Sequence, residues 1–243
     1  YLIDHPCIYV SVNPLSPLAF DSVPLETMIS YASQRQPIAV LSCALAGISA
    51  PMSLMGVSIM QNAEILAGLV LTQLISPGAP FIYAPASSVP NMQSGQYVGG
   101  SPESNIINIA NLQLAREIYS IPTRTMAGIT DAQSIDAQSG YESMQNLMQY
   151  MLGGVNIINQ CLGVLDSIMT NSFGKFILDE EMLDRILRFL EGMGRDELDS
   201  SLKEIKAVGQ RGNFLDQENT IDNCRRTWRP KISNIAKDMR PRC

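Results

Sequence analysis

Along the first two thirds of the chain, short β-branched or aromatic runs alternate with longer segments in which apolar residues recur every three to four positions. "CIYVSV" (7–12), "PIAVLSC" (37–43), "PFIYAP" (80–85) and "PTRTMA" (122–127) predict strands. "GVNIINQ" (154–160) predicts a fifth, although a helix would also accommodate it. Between them the spacing predicts helices over 24–35, about 57–75, from 101 onward, and roughly 138–152. Ser101 as N-cap, Pro102 in the first helical position and Glu103 in the first turn mark the third of these. Strands alternating with helices predict a parallel sheet joined by right-handed crossovers. No Gly-rich dinucleotide fingerprint follows any strand, which favours a barrel over a doubly wound open sheet. Five strands do not close an eight-stranded barrel.

After about residue 165 the pattern changes. "DEEMLDRILRFLEGMG" (179–194) and "RDELDSSLKEIKAVG" (195–209) predict amphipathic helices with acidic starts. Asp179 is read as the first N-cap; Gly192 and Gly194 end the first helix and Gly209 the second. The chain thus divides into a strand–helix part, 1–165, and a helical segment of the same domain, 166–243.

Composition narrows this picture. Of 243 residues, 46% are hydrophobic and 16% charged, enough for a large core and contrary to disorder. The net charge of −6 is unevenly spread: residues 224–243 hold seven Lys/Arg against one Asp, while 1–223 hold ten basic against 22 acidic residues. The basic tail suits either an acidic partner or an acidic surface of the chain itself, and the second is the simpler reading. No other region suits nucleic acid. Five cysteines without a CxxC pattern fit reduced thiols in a cytoplasmic protein. His5 is the single histidine, which excludes a His-based triad and a multi-His metal site. No signal peptide is legible. The most apolar run, 63–75, falls short of the roughly 20 residues of a bilayer span and contains Glu64 and Gln73, so it predicts a buried helix and no membrane association.

In a barrel, functional groups occupy the loops after strand C-termini. Asn13 follows the first predicted strand and Tyr83 lies in the third. "AGITDAQSIDAQSGYE" (127–142) follows the fourth and gathers Asp131, Asp136, Gln138, Tyr141 and Glu142. Taken singly, Asp131 suits a turn or N-cap and Asp136 a cap of the next helix. Taken together they predict an anionic, hydrogen-bonding rim for a cationic or polar substrate. Gln61, Asn62 and Glu64 interrupt the second helix; a surface stripe is the simpler account and an interior polar network near the barrel mouth the sharper one.

"LSCALAGISAPMSLMGVSIMQNAEILAGLVLTQLISPGAPFIY", "GGSPES", "LQLAREIYSIPTRTMAGITDAQSIDAQSGYES" and "GKFILDEE", in this order, resemble the trimethylamine methyltransferase family, the methylamine- and glycine betaine-specific corrinoid protein methyltransferases. The resemblance runs from about Asn13 to Thr220. It implies an α/β fold, a partial TIM (β/α)8 barrel holding about strands 4–8, followed by the helical segment. It implies transfer of a methyl group from trimethylamine, or a quaternary amine such as glycine betaine, to the Co(I) of a corrinoid carried by a partner protein. No cofactor would be bound permanently, and like subunits would associate. No catalytic residue is assigned. Asp131, Asp136, Glu142, Gln138, Tyr141, Tyr83 and Asn13 are the substrate-binding candidates. Some members carry pyrrolysine near the fourth of these strands; "TRTMAGITDAQ" shows ordinary residues, so the chain resembles members acting on quaternary amines. "GQRGNFLDQENT" (209–220) lacks the His often found there in the family. A half barrel exposes sheet edges, so the chain is expected to be inactive alone. The competing expectation is a non-catalytic barrel fragment that binds or scaffolds a corrinoid protein.

Overall fold

The computed structural model describes residues 5–193 and 198–233. Five parallel strands form the framework: β1 (Val10–Val12), β2 (Ile38–Ser42), β3 (Phe81–Pro85), β4 (Arg124–Met126) and β5 (Ile157–Asn159). Ile38 pairs with both Val10 and Phe81, and Arg124 pairs with Ile157. A parallel bridge between Tyr83 and Thr123 links β3 to β4. The strand order therefore equals the chain order. Crossovers between parallel strands are right-handed as a rule, and four that all step the same way lay their helices on one face, a singly wound arrangement.

The sheet also curls. Tyr9, beside β1, donates its hydroxyl to Asn159 at the end of β5 over 3.1 Å. In a flat sheet four strand spacings, about 19 Å, would separate those edges.

The helices that cover the sheet begin where the chain offers a cap. Asp21 caps α1 (Ser22–Ser33), Ser53 caps α2 (Leu54–Ile75), Ser101 caps α3 (Pro102–Gln113), and Asp136 with Ser139 forms a capping box on α4 (Ala137–Leu152). α3 runs on into a π-helical turn, Leu114–Ile118. Val12, Ile38, Val40 and Phe81 face α1 and α2 in one buried cluster with Met28 and Ile65. Ala39, Leu41, Ile82 and Ala84 form the opposite, inner face, with Met126 and Ile157 against them. At Gly68 an added Cβ would lie 2.6 Å from Val40 Cγ2, so glycine lets α2 rest directly on β2.

Several expectations change. α2 spans 22 residues and is long and apolar enough to cross a membrane by length and composition, so the shortness of the apolar run is no ground against it. α5 (Phe173–Leu190) begins six residues before Asp179, which is therefore an interior helical residue and not an N-cap. The apolar "FGKFIL" run concealed that start, which Ser172 caps, its Oγ accepting from Lys175 N over 3.3 Å. A hairpin of β6 (Val164–Leu165) and β7 (Thr170–Asn171), absent from the sequence reading, precedes α5. Gly194 lies outside the described residues, and the next helix, α6, covers Leu198–Val208.

Packing divides the chain into two compact units, 1–179 and 180–243, a boundary later than the change of pattern near 165. Within the second unit, which also holds α7 (Glu218–Asn223), the start of the basic tail lies on acidic side chains. Lys231 meets Glu180 and Asp184, each at 2.7 Å, Ser233 N donates to Glu181, and Trp228 stacks on Arg185.

Candidate functional site

The loop after β4 is irregular, yet the chain satisfies its polar groups one by one. Gly128 N donates to Asn146 Oδ1 over 2.6 Å, and Asn146 Nδ2 donates to Ile129 O over 2.6 Å. Gly128 O accepts from Ser143 Oγ and Lys175 Nζ. Thr130 Oγ1 and Asp131 N both donate to Glu142 Oε2, at 2.6 and 2.9 Å, while Gln138 donates to Glu142 Oε1. The tip of the β6–β7 hairpin completes the set: Ser167 N donates to Thr130 O and Asp166 N to Ala132 O. Residues 127–132 are thereby held by side chains and by hairpin amides, without a strand's ladder.

What this scaffold presents is a pair of carboxylates. Asp131 Oδ1 accepts from Gly99 N and from Ser167 Oγ, and Oδ2 accepts from Gly100 N over 3.0 Å, just ahead of the α3 N-terminus. Burial pushes the Asp131 carboxyl above its ordinary range; the donors from Ser167, Gly99 and Gly100 work against that, and the Glu142 charge adds to it. Gly100 separates the two acids. A Cβ there would lie 2.6 Å from Glu142 Oε2 and 2.9 Å from Asp131 Oδ2. Gly100→Ala is expected to force the pair apart at a cost of about 1–3 kcal/mol. Chemical denaturation checks this, and an alanine variant as stable as the parent would refute the tight fit.

Asp166, Ser167 and Ile168 all have positive φ, of 50°, 50° and 87°. Three successive left-handed residues without glycine, one of them β-branched, are strained. That strain sits where Ser167 is delivered to Asp131.

The other predicted residues are placed as follows. Gln138 joins the pair through Glu142. Asp136 is the α4 cap, accepting from Ser139 N, and does not meet Asp131. Tyr141 is 60% exposed on α4, and Asn13 is exposed beyond β1. Tyr83 turns to the helix side of the sheet, its hydroxyl 2.8 Å from Asn62 Oδ1 and 2.9 Å from Asn111 Oδ1. Gln61 and Glu64 are buried, so the surface-stripe account of 61–64 does not hold. Gln61 Oε1 accepts from Ala86 N and Ser87 N, and Glu64 accepts from Ser16, Leu18 N and Ser42. These side chains tie together the loops that leave β1, β2 and β3.

Sequence reasoning missed Gly99, Gly100, Ser167, Lys175 and Arg124. Arg124 had a signal: an arginine inside a run otherwise fit for a strand. Among the described residues, no three His, Cys, Asp or Glu side chains converge as a metal set. The Asp131–Glu142 pair, flanked by hydroxyl and amide groups, suits an organic cation.

Over residues 2–239 the chain matches the family described as trimethylamine methyltransferase. It is 38% identical to a glycine betaine methyltransferase of Desulfitobacterium hafniense strain Y51, over 95% of this chain and 48% of that protein. It is 34% identical to a proline betaine:corrinoid methyltransferase of Eubacterium limosum, over 95% and 48%. Against a trimethylamine methyltransferase of Methanosarcina thermophila the identity is 31%, over 86% and 43%. The chain spans about half the length of the curated relatives it matches.

Proposed function

The chain belongs to the trimethylamine methyltransferase family, and on that premise we propose that it supplies about the fourth to eighth strands of a TIM barrel that moves a methyl group from a methylated amine to the Co(I) of a corrinoid carried by a partner protein. In that reaction Co(I) attacks the methyl carbon, the C–N bond breaks with its electron pair passing to nitrogen, and the free amine departs. The metal centre is itself the nucleophile, so the barrel's task is to hold and orient a cation. The observation that carries this reading is the Asp131–Glu142 pair, fixed after β4 of a singly wound, curled parallel sheet. A quaternary amine such as glycine betaine is favoured over trimethylamine by the ordinary residues at 124–131 and by the relatives named for betaines.

The test is methyl transfer by the protein expressed from its complete reading frame, with a Co(I) corrinoid protein and a panel of amines, read from the cobalt spectrum. Methylation by a quaternary amine supports the proposal. Tight binding to the corrinoid protein without methylation by any amine would support the scaffolding alternative.

Acidity gives a second check. A raised pKa means that Asp131 takes up its proton at a higher pH than the ordinary value of about 3.9. The neutral acid attracts a cation less, so KM should rise as pH falls, beginning above the usual carboxylate range. Asp131→Asn should raise KM about tenfold at neutral pH and flatten that dependence. A variant with the parent's pH profile would remove Asp131 from cation binding.

A further inference from the structure

We propose that Arg124, with Tyr9 and Asn159, forms a receptor for a carboxylate on the inner face of the curled sheet, and that the amine taken by the protein carries a carboxylate besides its quaternary nitrogen. The site stands on geometry alone; the identity of its ligand rests on the methyl-transfer reading above.

Arg124 faces inward, as does Met126 two positions on in the same strand, which packs on the inner cluster of Ala39, Leu41, Ile82 and Ala84. The Tyr83–Thr123 bridge sets Arg124 beside Ala84, one residue short of the end of β3. Its Nε donates over 2.8 Å to Oδ1 of Asn159, the last residue of β5, so the side chain leans toward the C-terminal end of the sheet. That is the end at which functional loops gather in a parallel α/β sheet.

The guanidinium is nonetheless incomplete. Arg124 is only 6% exposed, and its buried Nη1 has no hydrogen-bond partner. Its neighbours are neutral: Asn159 accepts from it, and Tyr9 gives its own proton to the same Asn159 oxygen. Among the described residues no carboxylate pairs with it. A buried cation without a counter-ion is strongly unfavourable: burial disfavours its charged form, and Tyr9 beside it offsets that only in part. What relieves it is an anion with two coplanar oxygens matching the guanidinium fork. One guanidinium matches a monoanion, and the described inner-face strand residues include no second cation to balance a phosphate dianion. The inner face around it is apolar, which strengthens an ion pair formed there.

A zwitterion meets both halves of the site. Its quaternary nitrogen suits the acid pair after β4, and its carboxylate suits Arg124. Trimethylamine has nothing to offer the guanidinium.

The probes are glycine betaine, choline, which keeps the trimethylammonium group but carries a hydroxyl, and acetate, which keeps only the carboxylate. Calorimetric titration of the protein expressed from its complete reading frame should show glycine betaine bound about tenfold or more tightly than choline. Arg124→Met should weaken glycine betaine and acetate by about ten- to hundredfold, the range of a charged hydrogen-bonded pair, and leave choline within about twofold. Should the methionine variant not fold, Arg124→Lys takes its place, with a smaller loss still confined to the carboxylate-bearing ligands.

Equal losses for glycine betaine and choline would make Arg124 structural and overturn the proposal. Unchanged binding of all three would show the guanidinium already neutralised by a carboxylate of the protein, and would overturn it too. If no amine is demethylated while acetate and betaine binding still depend on Arg124, the methyl-transfer reading fails and the receptor stands.

Discussion

Replacing Lys175 with methionine is expected to destabilise the protein by about 3–5 kcal/mol, the usual cost of stranding one member of a buried ion pair. Lys175 and Asp179 are almost completely buried, with Nζ 2.6 Å from Asp179 Oδ2. The ammonium also donates to Ser143 Oγ and Gly128 O. Without it the Asp179 carboxylate keeps, among the described residues, the Gly163 N–H as donor, and its Oδ1 has no partner even in the parent. Removing both charges in Lys175→Met/Asp179→Leu should recover much of the loss, because two apolar groups strand no charge. Denaturant unfolding of the parent, the single and the double variant measures this. A double variant no better than the single one would mean that packing, and not charge, is at stake. The pH dependence has a definite sign. Burial already raises the Asp179 pKa, and loss of the ammonium raises it further. The variant's deficit should therefore shrink on acidification as Asp179 takes up a proton.

Gly128→Ala is expected to lose about 2–5 kcal/mol together with the proposed methyl transfer. Gly128 has φ of +73°, where an L side chain costs about 1–2 kcal/mol. Its Cβ would lie 2.3 Å from Cys161 O and 2.7 Å from Cys161 C. That obstacle is backbone, which no rotamer change removes, so the chains leaving β4 and β5 would have to separate. The amide of Gly128 would leave Asn146, and the displacement would pass along residues 129–131 to the acid pair. Unfolding and turnover together provide the check. An alanine variant of ordinary stability with a lost reaction would locate the effect in the loop; one normal in both respects would show that the strands yield.

The strand–helix alternation was legible because the buried runs are compact and the caps are local. Ser101, Pro102 and Glu103 mark the start of α3 within three letters. Asp179 was misread for the same reason: an acidic cluster after an apolar run imitates a helix start, while its partner Lys175 lies four residues upstream inside the actual helix. The polar run 61–64 on a helix says nothing of direction, and only the positions of Ala86, Ser87 and Ser42 show that Gln61 and Glu64 point inward. The acid-rich span after β4 was recognised as a cluster, but its division was not. Asp136 went to capping α4, whereas Asp131, whose amide goes to Glu142, took its carboxylate donors from Gly99, Gly100 and Ser167. Those three lie 31 to 36 residues away from Asp131 in the chain, and no local spacing encodes such a meeting.

The closure of residues 127–132 also sets a clock. Loops ordinarily rearrange in nanoseconds to microseconds, since water replaces whatever contacts they lose. Here the amides of Gly128, Asp131 and Ala132 are held by Asn146, Glu142 and Thr130. Those of Gly128 and Asp131 cannot be released without unseating side chains anchored in α4, and Thr130 itself donates to Glu142 of that helix. The acid pair therefore moves only in openings that loosen α4 itself, on the slow timescale of sub-global fluctuation. A cation arriving at the proposed site would meet a surface already in place, the ordering that many binding loops undergo at encounter having been completed during folding.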